Sequence, residues 1–437
     1  MNIFSLLRRL SSFQIIVLSF ALLIGSGTLL LMTPWATQDG QGAALLPACF
    51  TAVSASCVTG LTVVDTASYW SHFGQLVILM LIQVGGLGVV TMAVAITVGM
   101  GQHVGLMQRS TMQDAISAQQ IGGIVRMLRF VLKFTAGTEL LGACLLLPVF
   151  ARDYGWLQGL WMAVFHSISA FCNAGFDLMG PRSGGSLMAY AGDPLVNLTI
   201  MGLIAAGGLG FLTWADLSVN RLHWRRLTFQ TRIILMMTVV LVAVPALVFF
   251  TQEPISGWQA LFQSVTTRTA GFNTMDIETL SEGSRCIMVL LMMTGGAPGS
   301  TAGGIKTTTA FALLMAMVSV LRMRGDVECQ SRRIPMETVR QALAIFVMYA
   351  LLFFGVSIAI GFLDHAEMID AMVEVSSALG TVGLSTGLTE KLSPVSQTML
   401  MLLMYFGRVG ALTMIYALHK RQKAVPCRLP EGKLTVG

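Results

Sequence analysis

The chain of 437 residues is 54% hydrophobic and only 11% charged, with a mean hydropathy of +0.74. This composition excludes a water-soluble enzyme and is typical of a polytopic membrane protein. The net charge of +6 predicts no nucleic-acid partner, because the basic residues sort by side of the membrane.

Apolar runs long enough to cross a bilayer core, about 20 residues each, recur along the chain. They begin near Phe13, Phe73, Phe130, Leu195, Ile233, Ile287, Gln341 and Thr398. Eight spans place both termini on one side, which also holds most of the arginines and lysines. The positive-inside rule makes that side cytoplasmic. The opposite loops hold most of the acids, which would concentrate cations there, and four basic residues, Arg152, Arg182, Arg285 and Lys391.

Four similar segments recur between these spans. They are "FTAVSASCVTGLTVVD" from Phe50, "FHSISAFCNAGFDLM" from Phe165, "LFQSVTTRTAGFNTM" from Leu261 and "VEVSSALGTVGLSTG" from Val373. Each has a helix-length lead followed by a glycine: Gly60, Gly175, Gly271 and Gly383. A second glycine-rich step follows in the next span, at "GGLG" from Gly85, "GGLG" from Gly207, "GGAPG" from Gly295 and "GRVG" from Gly407. The sequence therefore predicts an all-α fold of four units, each a span, a short helix, a glycine turn and a second span.

The predicted boundaries of the four units are 1–100, 101–228, 229–330 and 331–420, with a cytoplasmic tail at 421–437. A lead of ten residues rises only about 16 Å as a helix, so it enters the membrane and returns. Carbonyls freed at the turn cannot face lipid. Four such turns around one axis would form a ring of carbonyls that replaces the hydration shell of a cation. The competing interpretation is that the glycines only allow close helix packing.

The motifs "VTGL", "CNAGFD", "TTRTAGFNT" and "GTVGLSTG", with the glycine-rich steps, resemble those of the Trk/Ktr/HKT superfamily of potassium transporters over essentially the whole chain. The resemblance is closest to the KtrB-type membrane subunits. It implies a pseudo-fourfold pore in each subunit, with eight transmembrane helices. It also implies a homodimer in the bacterial inner membrane, a cytosolic KtrA-type nucleotide-binding ring as partner, and K⁺ uptake with Na⁺ as an activator.

On this resemblance, the K⁺ filter consists of three residues from each unit and holds K⁺ as its only metal ion. These residues are Val58, Thr59, Gly60, Asn173, Ala174, Gly175, Thr269, Ala270, Gly271, Thr381, Val382 and Gly383. Arg268 is expected to brace the third turn through hydrogen bonds to carbonyls.

The stretch "TGGAPGSTAGGIKTTT", residues 294–309, comes within one residue of a phosphate-binding P-loop. A P-loop needs a strand before it and adjacent Gly-Lys, whereas this stretch interrupts an apolar span. A break of this kind lines a cavity or is packed in protein. The resemblance implies a flexible loop that blocks the pore below the filter, with gate residues Gly295, Gly296, Gly299, Gly303, Gly304, Lys306 and Arg408.

Arg408 lies deep in the last span, where a charge is expected to face the bundle interior and raise a barrier to cations; snorkelling to the interface is the alternative. Lys306, at the end of the loop, either joins this gate or reaches water. His166, Glu374 and Glu139 are interpreted as structural.

An intramembrane enzyme is disfavoured, because the spans hold almost no acids and show no base or acid pair at useful spacing. A secondary transporter of another small cation or solute is the remaining alternative. No cofactor is expected in this chain, and nucleotide would act only through the partner.

Overall fold

The computed structural model describes residues 11–100, 106–115, 123–180, 185–221 and 223–418. The predicted tail at 421–437 and Arg182 lie outside these residues.

Helices dominate the described chain. The first two units contain α1 Ser12–Leu31, α2 Leu45–Cys57, α3 Thr66–Tyr69, α4 His72–Leu87, α5 Val89–Gly99, α6 Leu106–Ala115, α7 Ile124–Tyr154, α8 Trp156–Phe171, α9 Pro194–Gly208 and α10 Phe211–Asn220. The last two contain α11 Phe229–Gln252, α12 Gly257–Thr266, α13 Glu282–Met293, α14 Thr307–Leu321, α15 Met336–Asp364, α16 Met368–Gly380, α17 Pro394–Val409 and α18 Ala411–Leu418. Short 3₁₀ turns lie at Pro34–Ala36, Met188–Tyr190 and Ile277–Thr279.

Local sequence explains where several helices begin. Ser11 and Gln14 form a capping box at the start of α1, and Ser256 and Gln259 form another at α12. Asp193 caps α9, in which Pro194 occupies the first turn and has no N–H to leave unsatisfied. These caps fix the points at which the chain enters each helix.

Each unit places one long helix beside one short helix. The long helices α1, α7, α11 and α15 are apolar and long enough to cross a membrane, and no more than 33% of their most apolar window is buried within the protein. The short helices α2, α8, α12 and α16 are the most enclosed elements, and their C-terminal halves are almost wholly buried. The long helices therefore offer a surface to lipid and the short ones lie at the centre.

The four units contact one another in a closed cycle. In each unit the helix that begins the second span packs on the short helix of the next unit: α4 on α8, α9 on α12, and α13 on α16. Helix α17 of the fourth unit packs back on α2 of the first. This cycle brings the C-terminal ends of all four short helices together.

Three predicted spans, besides the interrupted one in the third unit, are not continuous. The runs beginning near Phe73, Leu195 and Thr398 are bent by 93°, 96° and 92° at the junctions α4–α5, α9–α10 and α17–α18. Each junction carries a glycine with positive φ: Gly88, Gly210 or Gly410. Because an L-residue is strained in that conformation, the last glycine of each "GGLG" or "GRVG" step permits the bend. The prediction of a break in the third unit alone was too narrow.

The third unit ends in an element that the all-α prediction missed. Strands β1 Val327–Cys329 and β2 Arg332–Ile334 form an antiparallel hairpin between α14 and α15. Val327 and Ile334 pack with Ile233 and Phe311 in a small apolar cluster. The hairpin thus attaches the connection between the last two units to α11 and α14.

Candidate functional site

The four glycine turns share one backbone conformation. Two residues before each glycine, a residue adopts the left-handed region, at Val58, Asn173, Thr269 and Thr381, with φ of 58°, 58°, 66° and 52°. The glycines themselves have φ of 92°, 69°, 81° and 97°. A non-glycine residue in this region costs roughly 1–2 kcal/mol, so such a conformation needs support from its surroundings. Its recurrence in all four units shows that the repeat seen in the sequence is also a repeat in geometry.

Hydrogen bonds back to the short helix supply that support. The N–H groups of Thr59, Ala174 and Val382 each donate to a helix carbonyl six residues before the unit's glycine, at 2.8 Å. In the third unit the Ala270 N–H instead donates to the Thr266 carbonyl at 3.0 Å. These bonds therefore fasten each turn to the C-terminal end of its short helix.

The four glycines lie against one another in a closed ring. A methyl group placed on Gly175 would lie 2.8 Å from the Ala270 carbonyl oxygen and 2.9 Å from the Gly271 Cα. Equivalent positions on the other glycines would strike the carbonyl oxygens of Ala174, Val382 and Thr59. The order around the ring is Gly60, Gly175, Gly271, Gly383 and back to Gly60. No side chain fits there, which leaves backbone carbonyls of the four turns to line the centre.

A polar residue stands two positions after each ring glycine. These residues, Thr62, Asp177, Asn273 and Ser385, are all half-buried. Asp177 is the acidic member, and partial burial together with the charge of Asp65 raises the pKa of its carboxyl to about 6, although the Met179 N–H donates to it. In the sequence, Asp177 is one of many acids in the outer loops. The sequence signal that could have singled out Asp177 is its position, two residues after the repeated glycine.

The glycine-rich stretch between α13 and α14 forms a closed loop. Thr294 and Ile305 form a bridge, and the Gly295 N–H donates to the Ile305 carbonyl at 2.9 Å. The Ile305 N–H donates to the Met293 carbonyl at 3.2 Å. The chain therefore leaves α13 and returns beside the same point.

Hydrogen bonds to the second unit hold this loop in place. The Ala297 N–H donates to the Gly208 carbonyl at 2.9 Å, and the Thr301 hydroxyl donates to the Phe171 carbonyl at 3.2 Å. Gly303 lies against the Thr381 side chain of the fourth turn. Gly295 and Gly304 lie against backbone atoms, whereas Gly296 and Gly303 also approach neighbouring side chains.

Arg408 links the loop to the first unit. Its guanidinium donates to the Thr301 carbonyl, to the Gly85 carbonyl at 2.5 Å and to the Gly86 carbonyl at 2.8 Å. It forms no ion pair in the described part of the chain. The side chain therefore lies inside the bundle, and its charge is balanced by carbonyl dipoles from two units.

The other two predicted cations also lie by the loop. Lys306 precedes α14, and its ammonium donates to the Ala302 carbonyl at 2.6 Å. Arg268 donates to the Gly295 carbonyl at 3.4 Å, so the bond observed for this side chain reaches the loop and not the third turn as predicted. Three cationic side chains consequently bond to carbonyls of one loop.

A cavity of about 310 Å³ lies beside the loop. Gly299, Ser300, Ala302 and Arg408 contribute to its wall, and none of the twelve predicted filter residues does. The cavity is therefore lined by the loop and not by the glycine turns.

The remaining candidates have structural partners. Gln83 donates to the Glu139 carboxylate at 3.3 Å, which joins α4 to α7. His166 and Glu374 lie behind the second and fourth turns and are taken up below.

Comparison with known proteins gives a consistent result. The family model described as "TrkH: Cation transport protein" matches residues 7–424. The Ktr system potassium uptake protein B of Bacillus subtilis is 36% identical, over 97% of this chain and 96% of its own length. The potassium/sodium uptake protein NtpJ of Enterococcus hirae is 34% identical over 98% of both chains.

A solved structure shares the fold. The potassium transporter TrkH from Vibrio parahaemolyticus superposes with a TM-score of 0.72 and covers 93% of this chain and 84% of its own, at 20% sequence identity. At this identity the likeness supports the architecture.

Proposed function

This chain belongs to the TrkH family of cation transport proteins, and from that premise we propose that it takes up potassium across a bacterial inner membrane. The ring of four glycine turns is the observation that carries the proposal. Two relatives that match nearly the whole chain are named as potassium uptake and potassium/sodium uptake proteins, which supports the choice of ion. The family transports cations and is not an enzyme class.

The ring acts as the selectivity filter in this proposal. Carbonyl oxygens of the twelve filter residues would replace the water around K⁺, as in other carbonyl-lined filters. The negative C-terminal ends of α2, α8, α12 and α16 meet at the ring and favour a cation there. The pore would be pseudo-fourfold, with the bent and broken helices counted as spans to make eight.

The loop acts as the gate below the filter. Its contacts with Gly208, Phe171 and Thr381 hold it across the path from the ring to the cavity. Arg408 and Lys306 add positive charge at the same level and so raise a barrier to cations. Opening would require the loop to leave the carbonyls that it now contacts.

Replacing Arg408 by glutamine is expected to raise K⁺ influx by about fivefold, since removing ~1 kcal/mol from a barrier changes a rate by that factor. Glutamine removes the charge and keeps one donor for the carbonyls. Initial rates of rubidium uptake into vesicles measure the effect. Arg408→Lys keeps the positive charge but loses the guanidinium that links the carbonyls of the loop and the first unit. If the charge forms the barrier, this variant should keep the slow native rate. An unchanged rate in Arg408→Gln would remove Arg408 from the gate.

Lowering the external pH from about 7.5 to 5.5 is expected to raise the KM for K⁺ by about two- to threefold. Full loss of a charge that contributes ~1 kcal/mol at about 4 Å in water is worth about fivefold, and about three quarters of the carboxyl is protonated at pH 5.5. The pKa of Asp177 is raised to about 6, so its carboxylate loses charge as pH falls through that value. Asp177→Asn should show the high KM at both pH values. Asp39→Asn, in a different loop, is the control and should follow the native chain; if Asp177→Asn also does, this role is wrong.

The proposal includes sodium dependence, an orientation and two partners. Sodium is proposed as an activator on the resemblance of the sequence motifs, and the Enterococcus hirae relative is named a potassium/sodium uptake protein. Both termini would be cytoplasmic by the distribution of basic residues. A homodimer working with a cytosolic KtrA-type nucleotide-binding ring is proposed because relatives are named as parts of a Ktr system.

Potassium uptake in bacteria that lack their own potassium transporters tests the main proposal. The native chain, expressed with a KtrA-type subunit, should restore growth at low K⁺ and carry radioactive rubidium into reconstituted vesicles. Saturable uptake of another small solute, without movement of K⁺ or Na⁺, would favour the secondary transporter. Movement of no monovalent cation would refute the proposed function.

A further inference from the structure

The short helices carry an equivalent position that is used in only two units. Nine residues before the ring glycines stand Thr51, His166, Phe262 and Glu374. In the second unit the Leu178 N–H donates to the Nε2 atom of His166 at 3.3 Å. In the fourth unit the Thr386 N–H donates to the Oε1 atom of Glu374 at 3.0 Å. Both donors lie three residues after their glycine, so the same brace occurs twice with different chemistry.

The bonding of His166 defines its protonation state. Its Nδ1 atom lies 2.7 Å from the Met162 carbonyl, which can only accept, so Nδ1 carries the proton. Nε2 must then be bare to accept the Leu178 N–H, and the imidazole is neutral. The side chain is fully buried. The centroid of its ring lies 5.3, 6.0 and 6.4 Å from the ring centroids of Phe150, Phe165 and Phe272.

Glu374 accepts hydrogen bonds from the segment of chain that follows the fourth turn. Its carboxylate accepts from the Ser385 hydroxyl at 2.6 Å, from the Thr386 N–H and from the Thr389 hydroxyl. In the described part of the chain no basic side chain pairs with it, so these three donors satisfy its buried oxygens. Three hydrogen bonds from one short segment fix that segment on the helix.

The two braced turns face each other across the ring. Gly175 and Gly383 are not neighbours, because each lies between Gly60 and Gly271. In the first unit the Thr51 hydroxyl is buried without a hydrogen-bond partner among the described residues. In the third, Phe262 offers no acceptor, and Thr266 bonds to the Phe272 carbonyl at 2.7 Å instead.

We propose that His166 and Glu374 are positioning residues that hold the second and fourth turns from behind and thereby set the discrimination between K⁺ and Na⁺. Neither side chain touches the ion. Each fixes the residue that follows the turn, and together they fix the width of the ring along one diagonal. This inference rests on the proposed function.

The test measures the ratio of K⁺ to Na⁺ uptake in vesicles that contain the purified full chain. His166→Phe and Glu374→Leu remove the acceptors and should each lower the ratio by about fivefold or more, because each leaves a buried N–H without a partner. His166→Gln offers an oxygen to Leu178 and an amide donor to Met162, so it should restore most of the ratio. Thr51→Val, at the equivalent position of the first unit, is the matched control and should keep the native ratio.

The outcomes separate this inference from the proposed function. If the native chain moves neither K⁺ nor Na⁺, the proposed function is refuted, and the inference falls with it for that reason. If the native chain transports K⁺ and both acceptor-removing variants keep the native ratio, the brace does not set discrimination. Should Glu374→Leu fail to fold, Glu374→Gln keeps its size while weakening the bonds. It should lower the ratio by about twofold, and an unchanged ratio there would overturn the fourth-turn brace.

Discussion

Replacing Gly271 by serine is expected to lower K⁺ uptake by about tenfold or more and to remove the preference for K⁺ over Na⁺. A Cβ atom at this position would strike the Val382 carbonyl oxygen and lie 3.0 Å from the Gly175 Cα and 3.2 Å from the Gly383 Cα. All three contacts are backbone, so no flexible side chain can move aside. The ring must widen or shift, and the carbonyl positions that match a dehydrated K⁺ are lost.

Backbone strain alone must be separated from this effect, because Gly271 has a φ of 81°. Gly155, between α7 and α8, has the same φ of 81° and no atom within 4 Å of the Cβ position. Gly155→Ser therefore places a side chain at the same φ without touching the ring. Rubidium and sodium uptake into vesicles should be near native for Gly155→Ser and unselective for Gly271→Ser. Equal selectivity in the two variants would mean that the ring is not the filter.

The glycine turns could be predicted from the sequence because their signal is local and repeated. Each turn needs a positive φ, and a glycine at the same distance from the start of four similar segments indicates that need. The lengths of the leads were too short for a span, which correctly predicted short helices. Close contact between the turns of different units could be anticipated only from the repeat.

The bends and the long-range bonds could not be predicted in the same way. An apolar run across Gly88 or Gly410 has the composition of a straight span, and the 93° and 92° bends depend on packing with other units. Arg268 is three residues from Gly271 in sequence, yet its observed bond goes to Gly295, which is 27 residues away. His166 and Glu374 share no side-chain chemistry, so their common role as acceptors appears only when the backbone donors are in place.

Deleting residues 297–303 and joining Gly296 to Gly304 is expected to raise K⁺ influx, in the absence of a regulatory partner, by about tenfold or more. The ends of the deleted stretch lie near each other, because the Gly304 Cα is 3.4 Å from the Cβ position of Gly295, the residue before Gly296. It removes the N–H of Ala297 and the carbonyl of Thr301, through which the second unit and Arg408 hold the loop.

The same deletion should leave ion discrimination largely intact, because the ring glycines and their bonds to the short helices are untouched. Faster rubidium uptake with a retained K⁺ over Na⁺ ratio is thus the specific result that distinguishes a gate from a filter. Ser300→Ala is the matched control: its hydroxyl donates to the Ala297 carbonyl within the loop, at 2.6 Å, and to no other described residue, so its rate should be native. A native rate in the deletion variant would show that the barrier to K⁺ lies elsewhere. A fast but unselective rate would show instead that the loop supports the filter, through the contact of Gly303 with Thr381.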